Sequence, residues 1–172
     1  MRSYMHRTER YLSQCLIAFA TILLALLLEM LVVSGGLVYF WPQWLLLVVC
    51  YWTVRAPDML PLGGVLLLGL ALDVIHTNVL GIHAVILLAL VYLVRKFHKR
   101  FRLFPVLQQA FFIMLITLVY QVALLGFEYW LHAEKSSALF NPWYQMTIVS
   151  SFVSWPLLQF LLNSLSGRRE HG

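Results

Sequence analysis

The sequence predicts an all-α membrane protein, a single domain of 172 residues in which six transmembrane helices form one bundle with both termini in the cytoplasm. Composition indicates this class, because 62% of the residues are hydrophobic, only 11% are charged and the mean hydropathy is +0.83. A soluble core does not need so much apolar surface. The net charge of +5 could indicate nucleic-acid binding in a soluble protein. Here the positive-inside rule explains the charge better, and we predict no nucleic-acid partner.

Six apolar runs give the predicted spans. Residues 12–33 are long enough to cross a bilayer and longer than a signal-peptide core, so they predict a retained span. Residues 38–54 follow a Ser-Gly-Gly break and begin with aromatic side chains that are typical of the membrane interface. The predicted spans are residues 12–33, 38–54, 61–75, 81–94, 104–131 and 142–165.

The third and fourth spans are short, and the turn-prone segment 76–78 lets the chain reverse between them. Merging residues 61–94 into one crossing would leave five spans and would place the cations of residues 95–102 outside. The charge pattern argues against that count. With six spans and the amino terminus inside, 11 of the 12 Lys and Arg residues lie on inner segments, leaving Lys135 outside.

The fifth and sixth spans carry two further signals. Thr117, Gln121 and Glu128 recur at intervals that fit a helical period, so one stripe of span five is polar. Asn141 and Pro142 form a cap-and-start pair for span six.

The sequence contains no motif for an enzyme, a metal or a cofactor. It has no Gly-rich phosphate loop and no His-x-x-x-His pair, and it offers no nucleophile with an adjacent base. We therefore predict a protein that is not an enzyme and needs no cofactor.

The candidate functional residues are acids and their neighbours inside the predicted spans. Glu29, Asp73 and Glu128 lie at roughly one depth near the outer ends of their helices. An ionised acid in a span costs about 2.5–3.5 kcal/mol, so these side chains should face the bundle or a wet cavity. The alternative is that they only reach the interface. The predicted polar site, for a partner or a ligand, comprises Glu29, Gly69, Asp73, His76, Gly81, Gln121 and Glu128.

Gly69, Asp73 and His76 share one helix face, since they fall at i, i+4 and i+7. A glycine on that face favours close helix packing beside the acid. The Leu80-Gly81 pair follows the reversal, so two short helices should meet there at a tight turn.

A cluster of cations follows the fourth span and predicts a cytoplasmic basic loop. Phe97, Phe101 and Phe104 recur at helical spacing among these cations, which suits an interfacial turn of helix on anionic lipids. An ordinary positive-inside loop would look similar. The cations are Arg95, Lys96, Lys99, Arg100 and Arg102.

The order of several short motifs resembles the MreD family of bacterial rod-shape-determining membrane proteins. The resemblance extends from about residue 8 to residue 165. The motifs are Pro42-x-Trp44 with a Leu run and Tyr51-Trp52, Gly69-x-x-x-Asp73, Leu80-Gly81, and Trp155-Pro156.

This resemblance implies a location in the bacterial cytoplasmic membrane and a non-enzymatic role in cell shape and peptidoglycan synthesis. The implied direct partner is MreC, within an elongation complex that also holds the MreB filament, RodA and a penicillin-binding transpeptidase. Membrane lipids are the other implied neighbours. Such proteins are also similar in fold to the substrate-binding subunits of energy-coupling-factor transporters. That likeness supplies the alternative function, a small-molecule-binding subunit of a membrane transporter.

Overall fold

The computed structural model describes the backbone of residues 2–32, 41–76, 80–131 and 142–167, and the side chains of residues 12–31, 41–76, 80–127, 129–130 and 146–165. Within these ranges the chain is helical, without a strand, which confirms the all-α class. The helices are α1 (Arg2–Val32), α2 (Trp44–Arg55), α3 (Leu62–Ile75), α4 (Ile82–Phe101), α5 (Val106–Leu131) and α6 (Pro142–Gly167).

Helix α2 lies at the centre of the bundle. Every residue from 45 to 54 is buried, on all sides of the helix. A helix that is apolar all round is stable only when other helices surround it. Accordingly α2 packs against α1, α4 and α6, while α4 packs against α2, α3 and α5. Helix α6 closes the bundle by contacting α5 and α1.

Two buried tryptophans fill much of the core. Trp52 of α2 donates its Nε1–H to Thr21 Oγ1 of α1 at 3.0 Å. The Trp155 ring of α6 meets Phe101 of α4 edge-on, with centroids 6.2 Å apart. Aromatic pairs prefer such edge-to-face geometry. The hydrogen bond joins α2 to α1, and the aromatic pair joins α6 to α4.

The outer faces of the bundle are apolar. Three helical segments are long and apolar enough to cross a membrane, Leu12–Leu31, Val106–Phe127 and Met146–Leu165. Only 11%, 28% and 22% of these segments is buried inside the bundle, as expected for helices that contact lipid. The apolar helices α2 and α3 are shorter. At 1.5 Å per residue, α2 covers about 18 Å of a hydrocarbon core of about 30 Å. Six complete crossings therefore remain a prediction.

The helix bounds follow most of the predicted bounds. Helix α3 begins one residue after the predicted start at 61 and ends at 75, and α5 begins two residues after the predicted start at 104. Helix α2 begins at Trp44, because residues 41–43 are not helical. Residues 33–40, where the second span was predicted to start, lie outside the described part of the chain.

Helix α1 begins at Arg2, well before the predicted start of the first span at residue 12. A second difference concerns the predicted basic loop. Residues 95–101 are helical, because α4 continues through them to Phe101, which agrees with the predicted turn of helix and not with the alternative of an irregular loop. Lys and Arg are good helix formers, and nothing in this stretch interrupts the helix before Pro105. The phenylalanines also do not share one exposed face. Phe97 is half exposed, whereas Phe101 is buried in the core.

Candidate functional site

The helices alternate in direction, so residues distant in sequence meet at two ends of the bundle. We call the end that holds Glu29 and Asp73 the acidic end, and the end that holds Arg55 and Arg102 the basic end. The predicted polar site lies at the acidic end.

Asp73 is the most completely bound side chain at the acidic end. It is fully buried near the end of α3. Its Oδ2 accepts the Gly81 N–H at 2.7 Å, and its Oδ1 accepts the His83 N–H at 2.8 Å. The His83 ring Nδ1 lies 2.9 Å from the same Oδ1. The carboxylate therefore caps the first turn of α4, where unpaired N–H groups and the helix dipole favour a negative charge.

Gly81 makes this cap possible. It precedes α4 with φ +104°, a left-handed conformation that glycine adopts without steric cost. This turn points the Gly81 N–H back at α3. Side chains larger than hydrogen would strain the backbone here, even though the surrounding space is open.

Gly69 lies one helical turn before Asp73, at the closest approach of α3 and α4. A Cβ atom added to Gly69 would overlap the backbone of Ala84. The chain's own α4 thus occupies the groove that the sequence predicted beside the acid. Small residues at helix crossings allow this kind of close contact.

Glu29 caps a second helix. Its Oε1 accepts the backbone N–H of Leu45 at 3.4 Å, which is in the first turn of α2. The residue before α2, Gln43, makes no side-chain cap of its own. The α1 acid thus supplies a hydrogen-bond acceptor at the amino terminus of the central helix.

Aromatic and imidazole rings fill the space beside these acids. The His76 and His83 rings lie 5.2 Å apart, and the His83 and Tyr120 rings lie 6.2 Å apart. His76 follows the last residue of α3, and burial, together with the adjacent His83, lowers its pKa, which favours the neutral ring.

The polar stripe of α5 is only partly described. Thr117 and Gln121 are buried, and Thr117 Oγ1 donates to the Ile113 carbonyl at 2.9 Å. Glu128 lies on the last turns of α5, but its side chain is outside the described residues. Within the described part, Glu29, Gly69, Asp73, His76 and Gly81 gather where helices begin and end, and no group of three or more His, Cys, Asp or Glu side chains is placed to hold a metal.

The predicted basic cluster is on the surface of the basic end. Arg95 approaches Asp58 at 3.9 Å, and that carboxylate is 99% exposed. Lys96, Lys99, Arg100 and Arg102 are exposed. Exposed pairs of this kind contribute about 0–1 kcal/mol to stability, so the cluster is a solvated charged surface.

Sequence reasoning missed a polar pocket at the basic end. The side chains of Gln109, Gln159 and Asn163 meet there, and Gln159 Nε2 donates to Gln109 Oε1 at 3.0 Å. Asn163 Oδ1 accepts from Tyr51 Oη at 2.9 Å and from Arg55 Nη1 at 3.0 Å. The usable signal was on α6, where Trp155, Gln159 and Asn163 recur every four residues and share one face.

Comparisons with known proteins agree on one family. A family model described as rod shape-determining protein MreD matches residues 9–165. The rod shape-determining protein MreD of Haemophilus influenzae is 27% identical over 159 residues, which cover 91% of this chain and 94% of that protein. No solved structure matches the chain.

Proposed function

Since the chain belongs to the MreD family of rod shape-determining proteins, we propose that it is a non-enzymatic adaptor in the bacterial cytoplasmic membrane. In this proposal it binds MreC directly. It thereby links the MreB filament to peptidoglycan synthesis by RodA and a penicillin-binding transpeptidase. Membership of the family by itself supports a role in cell shape.

The observation that carries the proposal is the way the acidic end is used. The two oxygens of Asp73 accept hydrogen bonds from α4, and the groove at Gly69 is filled by Ala84. Asp73 is the most deeply buried acid among the described side chains, and it therefore serves helix packing. This use favours a structural role for the acidic end over the binding of a substrate.

The surface offered to a partner consists mainly of helix faces. In the described part of the chain, the main contacts of helix α1 are with α2 and α6. The helix also exposes a long row of apolar side chains. This row includes Leu16, Phe19, Leu23, Leu27 and Leu31. In a bilayer such a face suits lateral packing against a single-span helix, because association there depends on shape and close contact.

The proposed orientation places both termini and the basic end in the cytoplasm, with six crossings. The segregation of cations to one side supports it. The exposed cations of α4 would then face the cytoplasmic filament and the anionic lipids of the inner leaflet.

Depletion in a rod-shaped host tests the function. The adaptor proposal predicts round cells, and restoration of the rod shape by the wild-type chain. Normal rods after complete removal of the protein would contradict it.

The competing function is a small-molecule-binding subunit of a transporter. It predicts saturable binding of a small ligand, and this binding should persist when MreC is removed. A ligand that binds only the folded protein raises its stability by RT ln(1 + [L]/Kd), so thermal-shift screening against vitamins and wall precursors would detect it. A shift that requires Glu29, Asp73 or Glu128, together with normal cell shape in the deletion, would replace the adaptor proposal.

A further inference from the structure

The pocket at the basic end has no role in the adaptor proposal. It has a volume of about 240 Å³ and is open to the surface. Ligand pockets that enclose drug-sized molecules are usually about 300–1,000 Å³, so this cavity fits a smaller group. Its walls include Arg55, Arg102, Gln109, Trp155, Gln159 and Asn163.

The charge of the pocket is positive. No Asp or Glu lines it, and within the described residues neither Arg55 nor Arg102 is paired with a carboxylate. Arg55 donates to the neutral Asn163 amide instead. Gln109 lies in the first turn of α5, so the positive end of that helix dipole adds to the potential.

A buried donor in the wall lacks an acceptor. Trp155 lines the pocket and is 1% exposed, and among the described residues its Nε1–H has no hydrogen-bond partner. Buried donors are almost always paired in folded proteins, so this donor is available to an acceptor from outside the chain. Two guanidinium groups, an indole N–H and carboxamide groups together form a donor set for an oxyanion.

We propose that this pocket binds the phosphate of an anionic lipid headgroup. Arg forms bidentate, charge-assisted hydrogen bonds with phosphate, which a lysine cannot reproduce. The choice of a lipid over free phosphate rests on the proposed orientation, which places the basic end at the inner leaflet, and on the apolar side chains beside the pocket. Leu103, Leu107, Leu157 and Phe160 each lie within two residues of a pocket residue in the sequence, are more than half exposed and offer contact to acyl chains.

Native mass spectrometry of the purified chain in mild detergent tests the proposal. The probes are phosphatidylglycerol and monogalactosyl diacylglycerol, a neutral lipid without phosphate. We expect one retained phosphatidylglycerol and no retained neutral lipid. Retention should fall about tenfold or more in the Arg55→Gln/Arg102→Gln double variant, because hydrogen bonds between charged groups are lost.

The matched control is Lys99→Gln/Arg100→Gln, which removes the same charge from exposed residues that do not line the pocket. The control should retain the lipid as the wild type does. An equal loss in both double variants would overturn the proposal, because binding would then follow total charge. Equal retention of the neutral lipid would also overturn it.

Trp155→Phe provides a second test that keeps an aromatic ring in the core. It should weaken retention of phosphatidylglycerol, because the Nε1–H donor is lost together with part of the indole ring, and unchanged retention would contradict the proposed donor set. A third test uses inorganic phosphate as the ligand in place of a lipid. If it raises the melting temperature through Arg55 and Arg102 while no lipid is retained, the lipid assignment is wrong. These measurements need no MreC, so their failure is distinct from failure of the adaptor proposal.

Discussion

At the scale of single residues, Asp73 shows how a buried charge is compatible with a structural role. Placing an acid in a span costs about 2.5–3.5 kcal/mol. A hydrogen bond to a charged group contributes about 1.5–3 kcal/mol, and Asp73 accepts two from backbone N–H groups and lies 2.9 Å from the His83 ring. These interactions together offset the cost of burial. No bound ligand is needed to explain the acid.

Replacing Asp73 should therefore change stability according to how many donors lose their acceptor. Asp73→Leu leaves the Gly81 and His83 N–H groups unpaired, at about 1–3 kcal/mol each, and should lower the melting temperature in detergent strongly. Asp73→Asn keeps one acceptor oxygen and should be intermediate, with much of the cell-shape function retained.

Asp58→Asn is the control, because Asp58 is 99% exposed and its pairing with Arg95 is long. Its effect should be within about 0.5 kcal/mol. If Asn at position 73 abolished function as fully as Leu does while the protein stayed folded, the charge itself would be needed. That outcome would count against the adaptor proposal.

The sequence predicted the acid and its glycine neighbour but not their partner. Gly69 and Asp73 share a helix face by spacing alone, and Gly81 was recognisable as a turn residue. Spacing within one helix cannot show which N–H groups the carboxylate will accept. It also cannot show that Gln109 of α5 meets Gln159 of α6, which is why the basic-end pocket was missed.

At the scale of elements, the hairpin of α3 and α4 depends on one close approach. Gly69→Ala would drive a methyl group into the Ala84 backbone. Backbone atoms cannot rotate away, so the helices must separate and the Asp73 cap must weaken. We expect a loss of stability of about 1–3 kcal/mol, the usual cost of overpacking.

Gly63→Ala on the same helix is the matched control, since an added Cβ there meets nothing within 4 Å. It should leave the melting temperature unchanged or raise it, because alanine restricts the unfolded chain by about 0.4–1 kcal/mol relative to glycine. Equal melting temperatures for the two variants would show that the close approach does not hold the hairpin together.

The predicted elements were most accurate where strong signals mark an end. Pro61 directly precedes the first residue of α3, and the polar segment that begins at His76 directly follows its last residue. The end of the apolar run at residue 94 was a poor guide to the end of α4, because hydropathy reports lipid contact rather than helical conformation. Cationic residues continue the helix to Phe101.

At the scale of the whole molecule, a buried central helix is surrounded by helices that expose apolar side chains. Composition and charge distribution predicted the class, because both are properties of the entire chain. The position of α2 at the centre could not be predicted, since an apolar run of 12 residues reads equally well as a lipid-facing or a buried helix.

The orientation can be tested with single cysteines at Ser3, Lys99 and Ser136 in a chain that lacks Cys15 and Cys50. In intact spheroplasts an impermeant thiol reagent should label only the cysteine at position 136, because the cations mark the cytoplasmic side. Labelling at position 99 with protection at position 136 would invert the proposed topology.

The central claim, that this bundle holds MreC by its helix faces, is tested most directly by site-specific photocrosslinking in cells. The probe is placed at one exposed position on each of four outer helices, Phe19, Leu67, Phe111 or Val153, and at buried Leu47 as the control. We predict crosslinks to the membrane span of MreC from one face or from adjacent faces, and none from Leu47. If no exposed position crosslinks to MreC while the protein is folded and the cells remain rods, the account is contradicted.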